Sequence, residues 1–172
     1  MDKRLALTAA ILAVSTAIVS AVDHDLVGPR RHAAVLYDKA PAITVDGQLD
    51  EPVWGKAPDN TGFERNLHLP DRPPIPESLQ THFAVVQDDD TLYFGIRCND
   101  DDLSRLVFYP APGEWDAAMW MADSIELFLQ PEGARQQYYH FAVDPNATQT
   151  DIGGKSDYSS DWKAATFLKG DK

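Results

Sequence analysis

Short runs of alternating apolar and polar residues, each ended by Gly, Pro or Asp, most constrain what this chain can fold into. In the clearest run, Leu92, Phe94, Ile96 and Cys98 fall at every second position, which places them on one face of a strand. No stretch has the apolar spacing of an amphipathic helix of useful length. Several short strands without long helices are typical of all-β proteins, and we predict an antiparallel β-sandwich or jelly roll.

Turn residues divide the chain into elements. Asp46-Gly47 predicts a tight turn after a short strand at 43–45, and Asp50 to Trp54 predicts a single helical turn with Trp54 buried in the core. Asp88-Asp89-Asp90 lies between two β-rich runs and predicts a hairpin. Five prolines between 57 and 80 favour a long surface connection. Further strands are predicted at 123–129, 138–143 and 162–168.

The N-terminus has the pattern of a secretory signal peptide. Lys3 and Arg4 precede an apolar run, and Val19-Ser20-Ala21 is typical of a cleavage site. We predict a signal peptide at 1–21, a leader at 22–41 and one sandwich at 42–172. The alternative is a membrane anchor, because the run approaches the roughly 18 to 20 residues that span a bilayer. The protein is thus expected to be exported, periplasmic or extracellular, without membrane contact after cleavage.

The predicted last strand is followed directly by Lys169-Gly170-Asp171-Lys172. Antiparallel sandwiches normally need further strands to protect their edges. We therefore expect C-terminal strands of the same sandwich beyond residue 172.

The charge balance disfavours nucleic acid as a partner. The net charge is −12, and it becomes −13 when Asp2, Lys3 and Arg4 leave with residues 1–21. Phosphate binding requires clustered Lys and Arg, and this balance repels polyanions. The single cysteine, Cys98, excludes an internal disulfide and is predicted to be a buried thiol.

Signatures of catalysis are absent from the sequence. The five histidines show no two-His metal spacing, and neither a nucleophile elbow nor a phosphate loop occurs. Paired carboxylates can hydrolyse glycosides, but that mechanism requires two positioned side chains, which a sequence does not place. We predict that this segment is not an enzyme.

The stretch that leads into the strand at 123–129 carries the most informative chemistry. Trp120 lies three residues before Asp123 and six before Glu126. A Trp face stacks on the apolar face of a sugar ring, and a carboxylate accepts hydrogen bonds from the adjacent hydroxyls. On spacing alone, the alternative is that Trp120 packs in the core and Glu126 is simply solvated.

Three segments resemble the family 9 carbohydrate-binding modules, in the same order and from about Ile43 to the end. They are Ile43 to Trp54, Asp88 to Cys98, and Trp120-Met-Ala-Asp123-Ser-Ile-Glu126-Leu-Phe, whose Trp-x-x-Asp-Ser-x-Glu pattern is the most specific. The resemblance implies a non-catalytic β-sandwich, often stabilised by calcium, that binds oligo- or polysaccharide. It also implies an attached or co-exported glycoside hydrolase and a role in carbohydrate breakdown.

Position by position, the resemblance makes Trp120 one wall of an aromatic sugar clamp and Glu126 the acceptor of sugar hydroxyls. It gives Asp123 a structural role. Ala142 stands where some family members have a ligand-binding Arg, and the second Trp of the clamp is expected beyond residue 172. Two acidic triplets, 88–90 and 100–102, offer oxygen ligands suited to calcium, although neither fits an EF-hand loop.

Other residues carry open alternatives. Arg97, on the polar face of its strand, is a candidate sugar ligand, with a cross-strand partner role as the alternative. The aromatic residues Trp115, Tyr138 and Trp162 extend an aromatic platform or pack in the core or at an edge.

Two further functions remain open at this point. A haem-binding electron-transfer sandwich would use Met119 or Met121 with His140 as axial ligands. A structural or interaction sandwich with a decayed sugar site is consistent with Ala142 and the missing second Trp.

Overall fold

Eight strands make up the regular structure of the computed structural model, which describes residues 4–12, 35–39, 42–63, 75–108, 121–130, 138–153 and 158–169. Two short 3-10 helices, Glu77–Leu79 and Leu103–Arg105, lie between strands. The strands are β1 (Arg4–Leu12), β2 (Val35–Tyr37), β3 (Thr81–Gln87), β4 (Thr91–Asn99), β5 (Ile125–Leu129), β6 (Tyr139–Val143), β7 (Gln149–Ile152) and β8 (Lys163–Lys169).

These strands form two sheets. Sheet A has the order β2-β3-β4-β1-β8, and sheet B has the order β5-β6-β7. All neighbours pair antiparallel except β2, which runs parallel to β3. The predicted antiparallel β-sandwich is confirmed.

The core lies between the inner faces of the two sheets. Phe94 and Ile96 of sheet A face this core together with Phe141 and Val143 of sheet B. Trp162, at the start of β8, packs its ring edge-on against Phe141 with the centroids 5.3 Å apart. Full burial of one such side chain contributes about 1.5 to 3 kcal/mol, so this cluster is a main source of stability. Trp162 is therefore a core residue and not part of an aromatic platform.

The hairpin of β3 and β4 forms as predicted, and Asp88 closes it. Its Oδ1 accepts hydrogen bonds from the N–H groups of Asp90 (2.9 Å) and Thr91 (2.6 Å), an arrangement in which the side chain substitutes for a backbone turn. In β4, the predicted apolar face packs on the core. Cys98 lies on that face, and burial raises the pKa of its thiol above the ordinary value.

Residues 42–57 run across the outer face of sheet A. The predicted strand at 43–45 does not form, because the N–H of Thr44 donates to Oε1 of Glu51 (2.7 Å) instead of joining a ladder. The predicted turn at Gly47 is present, with a positive φ of 84°. The predicted helical turn appears as consecutive turns at 52–56, with one helix-type bond from Ala57 N–H to Val53 O (3.0 Å).

Trp54 lies on the outer face of sheet A rather than between the sheets. Its indole N–H donates to Oε2 of Glu51 (2.8 Å), and its ring covers Gly95 in the middle of β4. The prediction that Trp54 is buried in the core is therefore wrong, because Trp54 packs on the outer face of the sheet. The sheet face is free to accept the ring because Gly95 has no side chain.

The predicted N-terminal signal peptide and leader contain two of the strands. Val35–Tyr37 forms the short edge strand β2, although no periodic pattern predicts it. Arg4–Leu12 forms β1, which pairs with β4 on one side and β8 on the other. The processing of the N-terminus stays a prediction. Within the described residues, no helix has the length and apolar character needed to cross a membrane.

The remaining predicted elements agree closely with the structure. The strands predicted at 123–129, 138–143 and 162–168 appear as β5, β6 and β8 with ends shifted by one or two residues. The predicted Pro-rich connection extends into residues 64–74, which lie outside the described part of the chain. Its described start is anchored at Asn60, which exchanges two backbone hydrogen bonds of 2.8 Å with Phe83 of β3.

Candidate functional site

Glu126 points away from the core because β5 alternates strictly. Ile125, Leu127 and Leu129 pack against the core, so Glu126 and Phe128 project from the outer face of sheet B. The Glu126 side chain is 39 % exposed and remains accessible to a ligand. This is the orientation expected from the sequence.

His140 on the adjacent strand contacts both outward residues of β5. Its Nε2 lies 2.8 Å from Oε2 of Glu126. Its ring lies flat on the ring of Phe128, with the centroids 4.2 Å apart and the planes 9° from parallel. The register explains this contact, because Phe128 and His140 are direct partners and Glu126 is the diagonal neighbour.

Two more apolar residues extend this surface. Tyr138 meets Phe128 in a tilted arrangement with the centroids 5.6 Å apart. Ile152 of β7 is the register partner of His140. Exposed fractions of 59 % for Phe128, 51 % for Tyr138 and 49 % for Ile152 show that solvent reaches this surface. We call Glu126, Phe128, Tyr138, His140 and Ile152 together the sheet B patch.

The outer face of sheet B is exposed at the sheet B patch and buried next to it. Ala142, directly opposite Glu126, is buried, as is Thr150, its partner on β7. Glu126 therefore lies at the boundary between a covered end and exposed rings. Exposed ring faces beside a carboxylate provide stacking and hydrogen-bond acceptance at adjacent points, which is the chemistry that sugar recognition needs.

Trp120 lies outside the described residues, as does Trp115, so the structure does not place either side chain. The segment that follows is anchored by Asp123. Its backbone N–H donates to the carbonyl oxygen of Val107 (2.9 Å), and its Oδ2 accepts from the Val107 N–H (2.8 Å). These bonds fix the chain just before β5, which is consistent with the structural role that the resemblance gives Asp123.

Arg97 is not brought near Glu126. It lies on the outer face of sheet A, where its Nη2 is 3.4 Å from Oδ1 of Asp59, and the same carboxylate contacts Nδ1 of His82 at 2.9 Å. The outer faces of two packed sheets lie on opposite sides of a sandwich. Glu126 and Arg97 therefore belong to separate surfaces, and the structure favours the cross-strand partner role for Arg97.

A cavity of about 230 Å³ at one end of the sandwich is lined by Asp100, Asp123 and Asp144, among others. These carboxylates are suited to calcium by type. Each accepts at least one hydrogen bond from a backbone N–H group, so each has a role in the loops. Among the described residues, no three His, Cys, Asp or Glu side chains are grouped to hold a metal ion. Stabilisation by calcium, which the family resemblance implies, stays a prediction.

The structure describes His140 and one of the two Met residues suggested as haem ligands. Met119 lies outside the described residues, and Met121 is 74 % exposed. Nε2 of His140 lies 2.8 Å from Oε2 of Glu126. Haem ligation by these residues stays a prediction.

The family assignment agrees with the surface chemistry. Residues 45–166 match the family described as carbohydrate family 9 binding domain-like. The chain belongs to this family. The family 9 match covers the sandwich from the Asp46-Gly47 turn to β8, and it supports carbohydrate binding by a non-catalytic module. No curated protein and no solved structure matches the chain.

Three members of the patch, Phe128, His140 and Ile152, were not predicted from the sequence to contact sugar. Phe128 was assigned no role, and His140 was considered only as a haem ligand. The signal for Phe128 is its spacing of two residues from Glu126. The signal for His140 is weaker, because its proximity depends on the pairing of β5 with β6.

Proposed function

We propose that this family 9 domain binds neutral oligo- or polysaccharide at the sheet B patch, with Trp120 as an additional stacking residue. Glu126 accepts hydrogen bonds from sugar hydroxyls, and the exposed rings contact the apolar face of the sugar. The observation that carries the proposal is the carboxylate of Glu126 beside stacked, solvent-accessible rings. Trp120 precedes β5 by five residues and is included on the strength of the family motif.

Neutral sugars fit the electrostatics better than acidic ones. The chain has a net charge of −12, and Glu126 contributes a negative group to the patch itself. Uronic acids and sulfated sugars are negatively charged, so both the net charge of the chain and the Glu126 carboxylate repel them. Neutral sugars also present the hydroxyl donors that a carboxylate accepts.

We infer the cellular role from the predicted signal peptide and from what the family resemblance implies. An exported, non-catalytic sugar-binding domain supports polysaccharide breakdown by holding an attached or co-exported glycoside hydrolase close to its substrate. Increased effective concentration is the physical basis of that support.

Titration calorimetry of the chain with glucose, cellobiose and xylobiose tests the proposal. We expect weak exothermic binding that Trp120→Ala and Glu126→Ala each reduce by about tenfold or more, because each removes a stacking or charged hydrogen-bond contact. Arg97→Ala is the matched control and should bind as the parent does, since Arg97 lies on the other sheet. Absence of binding to every sugar by a folded protein contradicts the proposal.

A further inference from the structure

The Glu126 carboxylate is held by a neighbour on the next strand. An ionised carboxylate only accepts hydrogen bonds, so Nε2 of His140 must carry the proton in the 2.8 Å contact with Oε2. Among the residues that the structure describes, His140 is the only partner of this carboxylate. Ala142, directly opposite Glu126, has no side-chain donor to offer.

The ring of His140 is itself fixed. It stacks on Phe128 at 4.2 Å, and its side chain is only 13 % exposed. Ile152, its partner on β7, is apolar and does not compete for the ring nitrogens. A ring packed in this way has one orientation, so its Nε2–H defines where the carboxylate lies.

We propose that His140 is the positioning residue of the sugar site. It binds Oε2 of Glu126 and thereby leaves Oε1 oriented for a sugar hydroxyl above the Phe128 ring. This inference rests on the function proposed above. The physical basis is preorganisation: a carboxylate already held in one rotamer loses less conformational freedom when the ligand binds.

Two substitutions separate the hydrogen bond from the ring. His140→Phe keeps a flat ring for the contact with Phe128 but removes the donor. His140→Gln removes the ring but keeps an N–H donor, the side-chain amide, at about the same distance from the backbone as Nε2 of His140. We expect His140→Phe to weaken binding of the best sugar by about fivefold, the scale of one hydrogen bond to a charged group at a partly exposed site. His140→Gln should bind better than His140→Phe because it keeps a donor, but more weakly than the parent because it lacks the ring that holds the donor in place.

The sheet A surface provides a matched control. His82 contacts Asp59 through Nδ1 at 2.9 Å, and its side chain is 19 % exposed, so the two His–carboxylate pairs are alike in distance and burial. His82→Phe should leave sugar affinity unchanged. Circular dichroism of all variants checks that each is folded.

A double-mutant comparison distinguishes positioning from general structure. In a Glu126→Ala background, which removes the hydrogen-bond acceptor, His140→Phe should cause no further fivefold loss. A structural role for His140 predicts additive losses instead, and that result overturns the proposal.

The outcomes separate this inference from the proposed function. If the parent binds sugar and Glu126→Ala weakens it while His140→Phe binds normally, the positioning role is wrong and the sugar site stands. If His140→Gln binds as poorly as His140→Phe, the hydrogen bond is not the reason and the proposal also fails. If the parent binds no sugar, both proposals fall together.

Discussion

At the scale of single residues, Gly95 matters because Trp54 and Leu49 pack directly over it on the outer face of sheet A. Gly95 lies in the middle of β4, the strand that joins β3 to β1. A Cβ atom there would lie 2.8 Å from Cζ3 of Trp54 and 3.1 Å from a methyl carbon of Leu49. Because Glu51 holds the Trp54 indole by a hydrogen bond, the ring does not move aside freely.

Gly95→Ala should therefore lower the free energy of unfolding by about 1 to 3 kcal/mol, the usual cost of overpacking. Urea unfolding followed by Trp fluorescence measures the change. Gly55→Ala is the matched control, because the nearest atom to its added Cβ is a carbonyl oxygen at an ordinary 3.6 Å. Equal stabilities for the two variants would show that Trp54 does not seal β4.

At the level of elements, the β3–β4 hairpin depends on one carboxylate. Partial burial raises the pKa of Asp88, but hydrogen bonds from the backbone of Asp90 and Thr91 and from the Tyr93 hydroxyl lower it, and the net pKa lies below the ordinary value. The ionised form is thus favoured in the folded state. Its contribution to stability is fully present above the unfolded pKa of about 3.9 and is lost as the pH falls through the lower folded pKa.

Asp88→Asn should remove this pH-dependent contribution. The parent should exceed the variant in stability at pH 7, and the difference should shrink as the pH is lowered toward 2 and falls through the folded pKa, because the carboxylate becomes protonated in both folded and unfolded states. Urea midpoints across that range measure the difference. Asp90→Asn is the control, because it removes a charge from the same turn. Asp90 contributes only its backbone N–H to the bond with Asp88, so this variant should not reproduce the effect. A constant difference between parent and Asp88→Asn from pH 7 to pH 2 would argue against ionisation as the cause.

At the level of the whole molecule, sheet A depends on the segment predicted to be removed on export. β1 pairs with β4 over nine positions and with β8 over seven. A chain that begins at residue 22 would leave the facing edges of β4 and β8 without that neighbour. Unpaired strand edges bind extended peptide readily.

A synthetic peptide of residues 4–12 should raise the melting temperature of the 22–172 chain, because a ligand that binds only the folded state stabilises it by mass action. Differential scanning fluorimetry over a peptide titration measures the shift. The same peptide with Thr8→Pro is the control, since proline lacks the N–H that a ladder needs. No shift with the parent peptide would mean that β4 and β8 do not leave a gap for a strand when β1 is absent.

The sequence by itself determined what depends on neighbouring residues. Strict alternation placed Ile125 and Leu127 inward and Glu126 and Phe128 outward, because successive side chains of a strand point to opposite faces. Turn chemistry located the Asp88 hairpin, since its hydrogen bonds are made within three residues. The fold class followed from such local patterns, whereas the binding motif was implied by the resemblance to the family.

Only the tertiary structure decided which strands become neighbours. The pairing of β5 with β6 set His140 beside Glu126, and the assignment of β4 to sheet A placed Arg97 on the opposite surface. Trp54, apolar and expected inside, covers the outside of a sheet because Gly95 leaves room for it there. These outcomes depend on how distant segments share one core, a joint packing problem that no local pattern specifies.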